Sequence, residues 1–275
     1  MHRWDWILLL GGTIPYLIGF VLVLQILLQR SPNLITRARI SALIGALLHT
    51  VLLSLRAVNN EYLPVTSLFE FTLLFATLFM MVSLLVDLVR KMPIMTIASI
   101  PLSTLLLLSA ILLATAPGEH SQKATTLWSV THVLISLGAF GSFAFAFVGG
   151  ILYLIEQQQL KGRPRAELIG MMPPLQTLHR LIRVSVALGI IFLTLGGVIG
   201  YLYARTTEIH SNAWRTDPKI VLTTITWAAY GILLFASTLP FFRGRRTAWA
   251  AIICFGFLVF TAWSTIFWSP FHNYL

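Results

Sequence analysis

The chain has 275 residues, 57% of them apolar and 10% charged, with 19 Lys and Arg against 9 Asp and Glu and a formal net charge of +10. Soluble domains carry about 25% charged residues, so a water-soluble enzyme is excluded, and a mean hydropathy of +0.84 points to lipid as the solvent. The basic residues lie in short clusters between apolar runs and form no continuous basic face, which argues against nucleic acid as a partner. Its one cysteine, Cys254, lies within an apolar run and leaves no room for disulfides, Cys-based zinc sites, iron–sulfur clusters or a CxxCH attachment.

A membrane-crossing helix needs about 20 largely apolar residues. Eight such stretches follow one another, near 6–28, 40–58, 67–89, 93–115, 128–155, 184–204, 220–242 and 247–268. The first follows Arg3, has no small-residue cleavage site and is too long for a signal peptide, so it is expected to be retained. The one long connection, 156–183, contains Met171-Met172-Pro173-Pro174 and then Leu175, Leu178, Leu181 and Ile182. That spacing suits a short surface helix leading into the sixth span, or a solvated linker. The expected fold class is all-α: a polytopic membrane protein of eight transmembrane helices, forming a single integral membrane domain over 1–275. Thirteen Lys and Arg fall in loops or helix ends on one side and six on the other. The positive-inside rule makes the richer side cytoplasmic, which places both termini outside. No internal repeat of the period expected of an inverted-repeat transporter stands out.

Polar residues at membrane depth cost free energy unless paired or used, and there are few: His49, Arg56, Glu70, Asp87 and His132. Asp87 lies one turn before Arg90, and an i,i+3 ion pair accounts for it. His49 is halfway through the second span, where an imidazole requires a hydrogen-bond partner or a metal. Arg56 follows two turns later on the same face, placed either to meet an anionic group of a bound haem or to snorkel to the interface. His132 opens the fifth span just after Trp128, and His272 follows Trp268 at the end of the eighth. The two occur at one depth on the outer side, and two neutral imidazoles are what a six-coordinate haem iron takes; His120 and His210, in outer loops, are also available. His179 and His2 read as surface histidines. In the loop 205–219, Trp214 stands beside Arg215, Asp217, Pro218 and Lys219. An aromatic plate with cations suits a flat dianion such as haem. An interfacial Trp anchor with an Asp-Pro helix start accounts for the same residues.

Four segments together resemble the cytochrome c assembly family of polytopic haem-handling proteins, the CcsA/CcmC/HemX-type group. They are LHTVLLSLRAVNNEYLPVTSLFEF, WSVTHVLISLGAF with GGILYLIE, MPPLQTLHRLIR with GIIFLTLGGVIGYLYA, and WRTDPKIVLTTITWAAYG with RGRR and the closing HNYL. In the first, His49, Arg56, Pro64, Ser67 and Glu70 match the family's order of a His, an Arg two turns on, a Pro and a Ser-x-x-Glu helix entry. The resemblance implies that His132 and His272 are outer-side axial ligands of non-covalent haem b, with Trp214 and Asp217 in the tryptophan-rich motif. It further implies that His49 is the first of two histidines holding a second haem within the membrane, with Arg56 and Glu70 beside it. The position eight residues after Trp227, where the fuller pattern has its other membrane histidine, is Phe235. With Trp214 alone in the platform, the pattern is closest to the shorter HemX-like members.

The function so implied is presentation of haem at the outer face in cytochrome c biogenesis. The chain would be at most one component of a cytochrome c synthase, with a second membrane subunit and apocytochrome c as partners, in a bacterial inner membrane or an organellar energy-transducing one. Two other readings stand beside it. One is a HemX-type regulatory or assembly protein that acts through a partner without haem. The other is a small-ion or solute transporter using Glu70 and His49 as a proton site.

Overall fold

The computed structural model describes residues 3–29, 32–60, 63–65, 67–113, 127–161, 172–206 and 217–268. Among them there is no strand. Eight α-helices follow in order: α1 Arg3–Gln29, α2 Pro32–Asn60, α3 Leu68–Arg90, α4 Pro93–Leu112, α5 Leu127–Lys161, α6 Leu175–Thr206, α7 Pro218–Ala236 and α8 Arg245–Trp268, with a 3-10 turn at Pro240–Phe242. Each is long and apolar enough to cross a membrane, so the all-α, eight-helix class holds.

Three helices outrun their apolar windows, because helix formation does not stop where lipid stops. α2 begins two turns early, with Pro32 as its first residue, and carries Arg37 and Arg39 within it. α5 continues through Gln157, Gln158 and Gln159 to Lys161. The segment expected as a short surface helix is the first part of α6, continuous with the sixth span from Leu175. Pro173 and Pro174 set its start, and no breaker follows them.

The chain divides into two compact units, Met1–Thr125 with Ala166–Met172 and Thr126–Arg165 with Pro173–Leu275. In the first, α2 presents small residues to α1 at Ala38, Ser41, Ala42, Gly45 and Ala46, all buried, and such a stripe lets two helices approach closely in lipid. The approach is close enough that a Cβ at Gly45 would lie 2.8 Å from the Gly12 carbonyl oxygen. Ser41 donates to the Pro15 carbonyl at 2.7 Å, and Thr104 of α4 reaches the Tyr16 carbonyl at 3.3 Å. α3 turns directly into α4 through Lys91, whose left-handed φ of 52° lets its N–H return to the Asp87 carbonyl. Pro93 then opens α4. Ile7, Ile14 and Val21, two turns apart along α1, are more than half exposed, as a lipid-facing stripe should be.

In the second unit α5 and α6 run antiparallel. Phe143 occupies the space left by the missing side chain of Gly189 and stacks on Tyr230 of α7 with ring centroids 3.6 Å apart. Phe147 meets Phe255 of α8 at 4.7 Å, and the Trp227 indole N–H donates to Thr194 at 2.9 Å, tying α7 to α6.

Candidate functional site

At one end of the first unit, Arg56 is 3% exposed and donates through both Nε and Nη2 to one Glu70 oxygen, at 3.2 and 2.7 Å. Its Nη1 reaches Asp5 on α1 at 3.3 Å, and its guanidinium carbon lies 5.5 Å from the centre of the Phe69 ring. Glu70 is presented by the Ser67 N-cap of α3, whose hydroxyl accepts the Glu70 N–H at 3.1 Å. The Ser-x-x-Glu entry forms the helix cap, and the structure brings Arg56 to the Glu70 that it presents. Asp5, 51 residues from Arg56, is a partner that only a contact between α1 and α2 reveals.

Two turns along α2, His49 is fully buried between α1 and α2. Its Nε2 lies 3.2 Å from the Leu9 carbonyl, and since a carbonyl only accepts, Nε2 carries the proton. Thr13 shares that carbonyl at 2.7 Å and lies 3.5 Å from Nε2. Tyr16 stacks on the imidazole at 5.6 Å. Gly12 is required beneath it, because a Cβ there would collide with the ring. Nδ1, the nitrogen left with a lone pair, has no hydrogen-bond partner among the described residues. The arrangement is that of a hydrogen-bonded core histidine.

At the far end of the same unit Asp87 is 1% exposed and Arg90 is exposed, so the expected Asp87–Arg90 pair is corrected. Asp87 accepts from Arg39 Nε of α2 at 2.8 Å and from Thr96 of α4 at 2.8 Å. The inward face of α3 holds Asp87, and Arg90, three residues on, has turned out of it.

In the second unit His132 meets a glycine ladder on α6. Its Nδ1 is 2.9 Å from the Gly196 carbonyl, and Gly200 is close enough that a Cβ there would lie 3.2 Å from Cε1. By the same logic Nδ1 carries the proton and Nε2 holds the lone pair, the form in which a histidine ligates a metal while its other nitrogen is anchored. Lys219, at the start of α7, lies within Coulombic reach of the ring. Asp217 is buried and caps α7, its Oδ1 accepting the Lys219 N–H at 2.9 Å, with Pro218 as first helical residue. The Asp-Pro step thus builds the helix start that the sequence suggests. His272, Trp214, His120 and His210 lie outside the described residues, and no group of three or more His, Cys, Asp or Glu able to hold a metal occurs among the described ones.

Gly12, Thr13 and Tyr16 around His49, and Gly196 and Gly200 around His132, were not legible as site residues. Their signal, Gly-rich patches facing a histidine from another helix, exists only once the helices are paired.

A family model described as cytochrome c assembly protein matches residues 65–272. The chain belongs to the cytochrome c assembly family. It therefore has a role in cytochrome c assembly, carried out within a membrane. Relatives include protein HemX of Brevibacillus brevis, 24% identical over 189 residues and covering 68% of this chain and 69% of the relative. The cytochrome c biogenesis protein CcsA of Mesostigma viride is 21% identical over 266 residues, covering 86% of this chain and 87% of the relative. CcsA of Chlamydomonas reinhardtii is 26% identical over 80% of this chain; the chain spans 62% of that protein's length.

Proposed function

We propose that this protein binds haem b non-covalently at the outer membrane face, with His132 and His272 as axial ligands and Trp214 beside the ring. The observation that carries the reading is the Nδ1–H bond from His132 to the Gly196 carbonyl, which leaves Nε2 as the ligating nitrogen on a positioned ring. The family match supports His272, since it runs to residue 272. The split of thirteen against six basic residues supports an outer location for the start of α5 and the end of α8, with both termini outside.

On this reading the chain's own work is ligation and positioning. His132 would hold the iron, and Gly196 fixes the tautomer that allows it. Lys219, oriented at the capped start of α7, supplies a cation for a haem propionate. Bound haem supplies the redox-active iron and the macrocycle to which an apocytochrome adds its thiols. The protein would serve as one component of a split cytochrome c synthase, beside a second membrane subunit. The Brevibacillus relative supports a bacterial plasma membrane as the location, and the Chlamydomonas and Mesostigma relatives support an organellar energy-transducing one.

The test is a visible spectrum of the purified protein, oxidised and reduced. A low-spin Soret and α-band signal is expected, lost or altered in His132→Ala and in His272→Ala; unchanged spectra in both variants remove the pair as ligands. The likeness to a HemX protein over more than two thirds of both chains favours a second reading, assembly or regulation through a partner without haem. A colourless wild-type protein would decide for that one.

A further inference from the structure

The end of the second unit opposite His132 holds a set of basic groups that the haem reading does not use. On α6, His179 and Arg183 are one turn apart and share a face. Both ring nitrogens of His179 and the Nε of Arg183 are buried without a hydrogen-bond partner among the described residues. Arg243 also lies within Coulombic reach of His179. It belongs to the turn between α7 and α8, where Arg243 Nη2 donates to the Thr238 carbonyl at 3.2 Å and Arg246 Nη1 to the Phe241 carbonyl at 2.9 Å. The turn is held against α5 at Gly244, whose φ of 78° excludes most side chains and whose missing Cβ would lie 2.6 Å from the Tyr153 hydroxyl. The Trp227–Thr194 bond sets the antiparallel register of α6 and α7, and nine residues along each helix from it bring Ser185 level with Ala236, the last residue of α7, so that Arg183 lies beside the turn that follows. Two arginines and an imidazole therefore converge at a braced turn.

The ion pairs among the described residues use Arg39 and Arg56. Glu156 of α5, buried and with Oε2 unpartnered, pairs with none of the three basic groups. Buried donors without acceptors cost about 1–3 kcal/mol each and more when charged, and the described residues offer no acceptor to the Arg183 Nε or the His179 ring, so the cluster suits an added anion. The surroundings indicate its source. Val184 and Leu188 on α6 are 48% and 45% exposed, and Phe235 and Phe241 at the end of α7 and in the turn are 69% and 67% exposed. Val184 follows Arg183 directly and Phe241 lies two residues before Arg243, so these exposed apolar lanes begin beside the basic cluster. We infer that His179, Arg183 and Arg243 form a binding site for an anionic phosphate group, and that a membrane phospholipid supplies it, with its headgroup on the cluster and its acyl chains along those lanes. Basic pockets between helices at the membrane surface bind anionic headgroups in this way.

The site is tested by thermal unfolding of the full-length protein in detergent, titrated separately with phosphatidylglycerol, phosphatidylcholine and inorganic phosphate. Phosphatidylglycerol is expected to raise the midpoint with concentration, and the other two to leave it unchanged. Arg183→Gln should weaken the apparent lipid affinity about tenfold or more, as loss of a charged hydrogen bond does. His179→Gln should weaken it independently. Variants that respond to phosphatidylglycerol like the wild type overturn the site. An equal response to inorganic phosphate or to phosphatidylcholine overturns the lipid assignment.

Discussion

His132 and Gly196 are joined across α5 and α6 by a 2.9 Å hydrogen bond, and that bond decides which nitrogen of the imidazole is available to a metal. Gly200, one turn further along α6, packs on the same ring: a Cβ there would stand 3.2 Å from Cε1, whereas one at Gly197 would meet nothing within 4 Å. A branched side chain at 200 must push the ring off its carbonyl; at 197 it faces open space. Gly200→Val is therefore expected to lose or broaden the low-spin haem signal much as His132→Ala does, and Gly197→Val to retain it. Equal spectra for the two glycine variants would separate the Gly196 anchor from haem ligation.

Gly12→Ala alone drives a methyl group into the His49 imidazole, and overpacking of this kind costs about 1–3 kcal/mol. His49→Ala alone removes the bond to Leu9 and leaves a cavity beside Tyr16. Together the two changes relieve each other, because the new methyl group enters the space that the ring vacates. The double variant should lie within about 1 kcal/mol of His49→Ala, well short of the sum of the single effects. Unfolding midpoints in mixed micelles measure this, and strict additivity would show that the ring and Gly12 are not in contact.

Arg56 bridges two carboxylates from different helices, Glu70 at 2.7 Å and Asp5 at 3.3 Å. Removing the arginine takes their shared cation from a fully buried Glu70 and a partly buried Asp5, and breaking a buried pair costs about 3–5 kcal/mol. Removing only the charge of Glu70 leaves Arg56 with Asp5. Arg56→Met should therefore sharply reduce the yield of folded protein, Glu70→Gln should reduce it less, and Arg56→Met with Glu70→Leu should recover part of the loss. Size-exclusion profiles of fluorescent fusions report all three. A double variant no better than Arg56→Met would argue that the pair has a role beyond charge compensation.

The eight spans were legible because lipid imposes a length and a polarity that composition alone reveals. The intramembrane polar residues were legible for the same reason, as exceptions to that pattern. Their partners were not. Asp87 has Arg90 as its nearest cation in sequence, yet its ion pair is with Arg39, since the choice depends on which face of α3 is turned inward. Asp5 reads as an ordinary residue of a helix's first turn until α1 packs on α2 and brings it to Arg56. The start of α6 escaped for a different reason: hydropathy marks where a helix enters lipid, whereas capping and proline placement mark where it begins.

Arg39 and Asp87 form a pair at 2.8 Å, with side-chain exposures of 32% and 1%. Arg39 and Arg56 are 17 residues apart on α2, as are Glu70 and Asp87 on α3, so the two bridges clamp the same helix pair about 26 Å apart along their axes. The clamps differ in exposure. If Asp87 becomes Asn, Arg39 can turn to water, and Thr96 can still donate to the amide oxygen in place of the carboxylate it holds at 2.8 Å; the cost should be about 1 kcal/mol, as for an exposed pair. If Arg39 becomes Gln, a buried carboxylate is left with a single hydroxyl donor among these contacts, and the cost rises toward the roughly 3–5 kcal/mol of an uncompensated buried charge. Arg39→Gln is thus expected to destabilise the protein more than Asp87→Asn, although it changes the more exposed residue. Comparing their unfolding midpoints checks the order, and the reverse order would mean that Asp87 gains little from Arg39.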